Sequence, residues 1–391
     1  MIKKAFKTFF KSEIAIGISL IVATIIAILT ANSNSGNIYF EFLAIQAPLN
    51  LSFIGIYKDL TLLEWVNDAL MAVFFLLVGL ELKREILVGE LSSKQKLSLP
   101  AIAAAGGIII PLLIFGYFNF NNLENMRGFA VPCATDIAFA YGMISLFGKT
   151  LSNSLKIFLV ALAVLDDLVA ILIIAFFYSE NISSHYLLFS ILIMMLLSLC
   201  NLIEVRRISI YLILGAFLWI MVLKSGLHAT LAGVLLAMFI PLEVKKKPFL
   251  SKLAHQIAPS VNFLILPIFA FANAGVKLDN FSSDLLLNPL VLGIALGLFL
   301  GKQLGVILFS FIAVKINLSH LPRGSNWLEF YAAAIFTGIG FTMSLFIGSL
   351  AFFKQAELLD LAKIGVLLGS LASVIFGVLI IYLIKIRRRS K

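Results

Sequence analysis

Apolar stretches of about twenty residues recur along the whole chain, separated by short polar segments. A helix rises about 1.5 Å per residue and a bilayer core is roughly 30 Å thick, so each stretch can cross a membrane as one helix. Twelve spans are predicted, at about 14–31, 60–82, 97–118, 126–146, 151–177, 184–202, 208–222, 226–242, 253–275, 289–313, 328–352 and 361–384. Residues 37–58 form the only sizeable loop, and Pro48 and Gly55 within it predict a small β-hairpin on the outer face. Lys3, Lys4, Lys7 and Lys11 ahead of the first apolar stretch imitate a signal peptide. That stretch is long and no small-x-small site follows it, so it reads as a retained first span. The predicted class is an all-α polytopic membrane protein, with residues 1–391 as a single integral membrane domain.

Composition agrees: 61% of the 391 residues are hydrophobic and 13% charged, against about a quarter charged in soluble domains. The net charge of +10 does not mark a nucleic-acid surface, because the basic residues sit in short clusters between the apolar stretches. Loops predicted to be cytoplasmic hold 23 of the 30 basic residues and outer loops hold six, a bias that places both termini in the cytoplasm. Trp65, Trp219 and Trp327 fall near predicted span ends. Cys133 and Cys200 lie inside apolar stretches with no CxxC spacing, and His185, His228, His255 and His320 show no ligand spacing. No cofactor and no metal catalysis are expected. GKT at 148–150 lacks the first glycine of a phosphate loop, Met143 standing in its place, so no ATP site is expected.

The thirtieth basic residue, Lys302, lies near the middle of a span, in GIALGLFLGKQLG. Asp136 in VPCATDIAFAYG and Asp166 with Asp167 in ALAVLDDLVAIL are equally misplaced. Each such charge costs ~3 kcal/mol on insertion scales, so these residues must face one another, water or a substrate. A structural ion pair between Lys302 and one aspartate is one reading. Three aspartates exceed one lysine, however, and a cation or protons must balance the rest.

Gly128, Pro132 and Thr135 interrupt the fourth span, and Gly338 and Gly340 the eleventh. Broken helices are tolerated at membrane depth where the freed backbone lines a cavity or is buried in protein. The two are the middle members of spans 3–5 and 10–12, trios of opposite predicted orientation, which is the inverted-topology repeat of a transporter. Two discontinuous, crossed helices would bring helix ends together at mid-membrane, with Asp136 offsetting the positive ends and Lys302 the negative ones. Gly293, Gly297, Gly301 and Gly305, like Gly365, Gly369, Ser373 and Gly377, predict close helix packing.

Asp68 with MAVFFLLVGLELKRE (71–85), PCATDIAFA (132–140), KIFLVALAVLDDL (156–168), KSGLHATLAG (224–233), LILPIFAFANAGV (264–276) and GIGFTMSLFI (338–347) closely resemble the NhaA-type bacterial sodium/proton antiporters. Inverted repeats are a known property of that family, so the two readings are not independent. The resemblance implies an electrogenic secondary transporter of the inner membrane that exports Na⁺ or Li⁺ against protons and serves pH homeostasis. It also implies a homodimer contacting through the 37–58 hairpin. By motif, Asp166 and Asp167 are the ion and proton carboxylates, Thr135 and Asp136 belong to the unwound region, and Lys302 is the mid-membrane lysine. Asp68, Glu81, Arg84, Glu85, His228 and His255 fall in the funnel or pH-response positions. Ala254 and Ala258 depart from the family pattern, which expects an acid and a second histidine around His255. A channel, an antiporter of another cation and an intramembrane aspartyl protease are the rival readings. A channel would use rings of charge, and no GxGD motif supports the protease.

Overall fold

The computed structural model describes residues 13–52, 56–89, 91–147, 150–179, 182–277 and 283–389. Helix dominates because a backbone in hydrocarbon must satisfy its own N–H and C=O groups. In chain order the main elements are α1 (Glu13–Ala31), α2 (Gly36–Ala44), a hairpin of β1 (Leu49–Leu51) and β2 (Ile56–Lys58), α3 (Leu62–Leu87) and α4 (Lys94–Asn119). There follow α5 (Leu123–Cys133), α6 (Ile137–Leu146), α7 (Asn153–Phe177), α8 (Ser184–Leu202), α9 (Ile208–Ser225), α10 (Leu231–Phe239) and the short strands β3 (Glu243–Val244) and β4 (Lys247–Pro248). The last are α11 (Phe249–Ala274), α12 (Pro289–Lys315), α13 (Trp327–Phe336), α14 (Phe341–Ala351) and α15 (Ala356–Arg389). Among the described residues nine helices are long and apolar enough to cross a membrane. The pairs α5/α6 and α13/α14, each bent by 42°, bring the total to eleven.

The eighth predicted stretch, 226–242, differs. Its helix is α10, nine residues and about 13 Å long, well short of a bilayer core. Gly226 turns the chain with φ of 87° ahead of it, and Pro241 follows its end. Lys83 Nζ donates to the carbonyls of Met238 and Ile240, each at 2.6 Å, closing that end. The 37–58 loop also holds more order than its composition announced. It contains most of α2, whose Tyr39 hydroxyl donates to Phe271 O at 2.6 Å, and the predicted hairpin, paired Leu49 to Lys58 and Leu51 to Ile56.

The described residues fall into two compact units, one from residues up to 22, 90–170 and 276 onward, the other from 23–89 and 171–275. In the first, the glycine face of α12 lies against α4. A Cβ on Gly305 would sit 2.0 Å from the carbonyl oxygen of Gly106, and one on Gly301 would sit 2.8 Å from Pro111 Cα. Gly365 and Gly369 of α15 abut α12 in the same way, and Gly377 abuts Phe336 of α13. In the second unit, Gly233 of α10 meets the Ala72 carbonyl of α3, and Asn273 Nδ2 of α11 donates to Asn67 Oδ1 at 2.8 Å.

Among the described residues three of the long helices contain a π turn: Val66–Leu70 in α3, Val261–Ile265 in α11 and Gly297–Gly301 in α12. One helix face cannot absorb a new methyl where backbone meets backbone. Gly305→Ala is therefore expected to destabilise the purified protein by about 1–3 kcal/mol. Gly116→Ala, on α4 with nothing within 4 Å, should be neutral or stabilising by up to about 1 kcal/mol. Thermal unfolding of both variants in detergent checks the contrast.

Candidate functional site

The first unit gathers the misplaced charges. Asp166 and Asp167 lie midway along α7 and are 2% and 1% exposed. Neighbours on a helix point about 100° apart, so the two carboxylates leave the helix on different headings. Lys302, fully buried on α12, donates to Asp166 Oδ2 at 2.6 Å. Thr135, in the gap between α5 and α6, places its hydroxyl 2.8 Å from the same Oδ2 and 2.8 Å from Thr337 O. A hydroxyl has one hydrogen, so Thr135 donates to the carboxylate or to the carbonyl, not to both at once. Asp166 Oδ1 is buried with no hydrogen-bond partner among the described residues. As a carboxylate oxygen it is chemically able to accept a further donor or to coordinate a cation.

The two broken helices meet at Asp136. It is the N-cap of α6, accepting from Phe139 N at 2.9 Å through Oδ1. Its Oδ2 accepts from Thr342 N at 3.0 Å and from the Thr342 hydroxyl, in the first turn of α14. One carboxylate thus serves two helix N-termini, whose free N–H groups and positive dipole ends offset a buried negative charge. The breaks are stitched further by Asp136 N donating to Ile339 O at 2.7 Å and Ser344 Oγ donating to Val131 O at 2.7 Å. Close approach explains the glycines: a Cβ on Gly338 would lie 2.5 Å from Leu298 O. Lys302, expected to offset the negative helix ends, instead pairs directly with Asp166.

The remaining sequence candidates lie in the second unit. Asp68 sits in the π turn of α3. Glu81, Arg84 and Glu85 lie roughly 20 Å further along that helix, with Arg84 Nη2 donating to Glu85 Oε1 at 2.8 Å. His228 lies in the turn before α10, and His255 is exposed on α11 beside the buried Ala254. Asp68 and the Glu81–Glu85 group are therefore at separate ends of α3 and form no single cluster.

Sequence reasoning missed several partners. Thr337, Thr342 and Ser344 carry the stitching, and their concentration in TGIGFTMS was the available signal. Glu329, 2% exposed at the start of α13, receives the guanidinium of Arg388, which also donates to Thr150 O at 2.9 Å. Nothing local in the sequence announces that bridge.

Comparison with known proteins decides the family. The profile of the family described as Na⁺/H⁺ antiporter 1 matches residues 7–381. The chain belongs to that family. It is 50% identical to a Na⁺/H⁺ antiporter NhaA of Pelagibacter ubique over 97% of both chains. It is 49% identical to one of Shewanella amazonensis over 96% of both, and 48% identical to one of Syntrophotalea carbinolica over 100% of this chain and 98% of the relative. Na⁺/H⁺ antiporters are secondary transporters and not enzymes, and this one is a multi-pass membrane protein.

The double cap yields an expectation for this antiporter. Asp136→Ala removes both caps and should lower stability by about 2–4 kcal/mol. Asp136→Asn keeps an acceptor for one helix and should cost about half as much. Thermal unfolding of the two purified variants measures the difference, and equal losses would mean that the acceptor Asn retains contributes nothing.

Proposed function

We propose that this chain exports Na⁺ or Li⁺ in exchange for protons, with Asp166 and Asp167 as the carboxylates that carry both. The observation that carries this reading is the buried Asp166, which keeps one acceptor oxygen open while Lys302 holds the other. Hard cations prefer oxygen ligands, and Asp167, one residue on, supplies a second carboxylate. A carboxylate holding a proton cannot also offer that oxygen to Na⁺, so the two ions exclude one another. Movement of one group of helices against another then opens the same site to each side in turn. The Thr135 hydroxyl can follow the change, turning its hydrogen to Asp166 when the carboxylate is charged and to Thr337 O when it is not. Asp136 keeps the crossing together without touching the ion.

The charge asymmetry of the loops supports an inner-membrane protein with both termini in the cytoplasm. The β1–β2 hairpin is the proposed homodimer contact, and pH homeostasis the proposed service to the cell. Asp68, Glu81, Arg84, Glu85, His228 and His255 are proposed to tune access and pH response. Two protons inward for one Na⁺ outward move one net charge per cycle, so a potential of about 100 mV adds ~2.3 kcal/mol of drive.

In proteoliposomes, Asp166→Asn and Asp167→Asn should each abolish Na⁺-driven ΔpH changes while wild-type rates respond to an imposed potential. Wild-type transport by either folded variant would sink the assignment, and indifference to potential would sink the two-proton count.

Competition also fixes the pH behaviour. As pH falls, the apparent Na⁺ affinity should drop, approaching tenfold per pH unit for each proton displaced. The maximal rate at saturating Na⁺ should vary little between about pH 6.5 and 8.5, where a histidine sensor would act. Ala254 and Ala258 leave His255 with fewer titrating neighbours than the family pattern expects. Initial rates against Na⁺ concentration at several pH values test this. A steep change in maximal rate at constant affinity would reveal a separate sensor.

A further inference from the structure

Lys302 is the first residue after the π turn of α12, and its backbone N–H reaches back five residues to Gly297 O. A π turn inserts one extra residue into the helix. Without it, every residue beyond would sit about 100° further round the axis relative to the preceding segment. The heading of Lys302 toward Asp166 therefore depends on the turn remaining wide. Such a turn loosens the carbonyl ladder and needs outside support, and the structure supplies it.

Gln303 is 2% exposed. Its Nε2 donates to Phe299 O, inside the π turn, at 2.6 Å. Its Oε1 accepts from the Tyr331 hydroxyl at 2.7 Å, and Tyr331 lies on α13, the first half of the second broken helix. The chain Tyr331–Gln303–Phe299 thus fastens the wide turn to a neighbouring helix, one residue from the buried lysine. The π turn of α3 is held by the same device, Trp219 Nε1 donating to Asp68 O at 3.1 Å.

We infer that Gln303 and Tyr331 are positioning residues that hold Lys302 on Asp166 by keeping the π turn of α12 open. The inference rests on the reading of Asp166 as an ion carboxylate. Na⁺ arriving at Asp166 either replaces the ammonium at Oδ2 or shares the carboxylate with it through Oδ1. In both cases a firmly aimed lysine opposes the incoming cation. Loosening the lock weakens that opposition, so the variants should bind Na⁺ more tightly, whereas a general loss of packing would lower the rate and leave affinity unimproved.

The experiment measures initial Na⁺-driven transport against Na⁺ concentration, at one alkaline pH where protons compete least, for Gln303→Leu, Tyr331→Phe and the double variant. Each single variant should lower the apparent KM for Na⁺ by about fivefold, the weight of one buried hydrogen bond, with a smaller change in maximal rate. The double variant should match Gln303→Leu, because both residues act through one chain. Tyr331→Phe removes a single oxygen and decides the matter if Gln303→Leu fails to fold. An unchanged or raised KM in the folded variants overturns the inference, as do effects that multiply in the double variant. Asp166→Asn, run alongside, separates the two readings. If it still transports, the carboxylate assignment fails. If it is inactive while Gln303→Leu and Tyr331→Phe keep the wild-type KM, only the positioning role fails.

Discussion

A lysine and an aspartate with fully buried side chains, 2.6 Å apart at the centre of their helices, are the constraint around which the first unit is organised. Neither group belongs in hydrocarbon, and removing either strands the other, at a cost of roughly 3–5 kcal/mol in buried pairs. Holding them together demands that α7 and α12 keep their phase, and two local features serve that end. The glycine face of α12 lets the helix approach α4 until backbone meets backbone. The π turn just before Lys302 sets which way the lysine leaves the axis.

Asp136 meets the opposite problem. Two helices begin inside the unit, leaving N–H groups that need an acceptor, and one carboxylate answers both sets of donors. The breaks and the charge are thus each other's solution: unwound backbone without Asp136 would be orphaned, and Asp136 without the two N-termini would be an isolated buried anion. Thr135 ties this crossing to the lysine–aspartate pair through a hydroxyl with one hydrogen and two acceptors. A change at Asp166 is therefore felt at the carbonyl of Thr337, inside the second broken helix.

Much of this was legible in the chain. Charges in apolar runs flagged Asp136, Asp166, Asp167 and Lys302, and Pro132, Gly338 and Gly340 marked the two breaks, since each feature changes the local composition. The family followed from contiguous motifs. Other features left no local mark. Residues 226–242 are as apolar as a span, yet only nine of them are helical, because hydropathy records what a segment tolerates and not how far it runs. The π turns at 66–70, 261–265 and 297–301 (VNDAL, VNFLI and GLFLG) share no sequence signature, and two of them are bonded by side chains that arrive from other helices, Trp219 directly and Tyr331 through Gln303. Thr342 could be recognised as a partner of Asp136 only once the two breaks were known to cross.

The span of 206 residues between Asp136 and Thr342 bears on how the protein is made. At translation speeds of about 5–20 residues per second, the first broken helix is made roughly 10 to 40 seconds before its counterpart. Through that interval Asp136 can cap only its own helix, and for most of it Asp166 has no Lys302. A nascent antiporter therefore carries Asp136 and Asp166 in its first half without the partners that the last third of the chain supplies. The lysine–aspartate pair and the shared cap are thus among the final contacts the ribosome makes possible, and a chain truncated before Lys302 would be left without either.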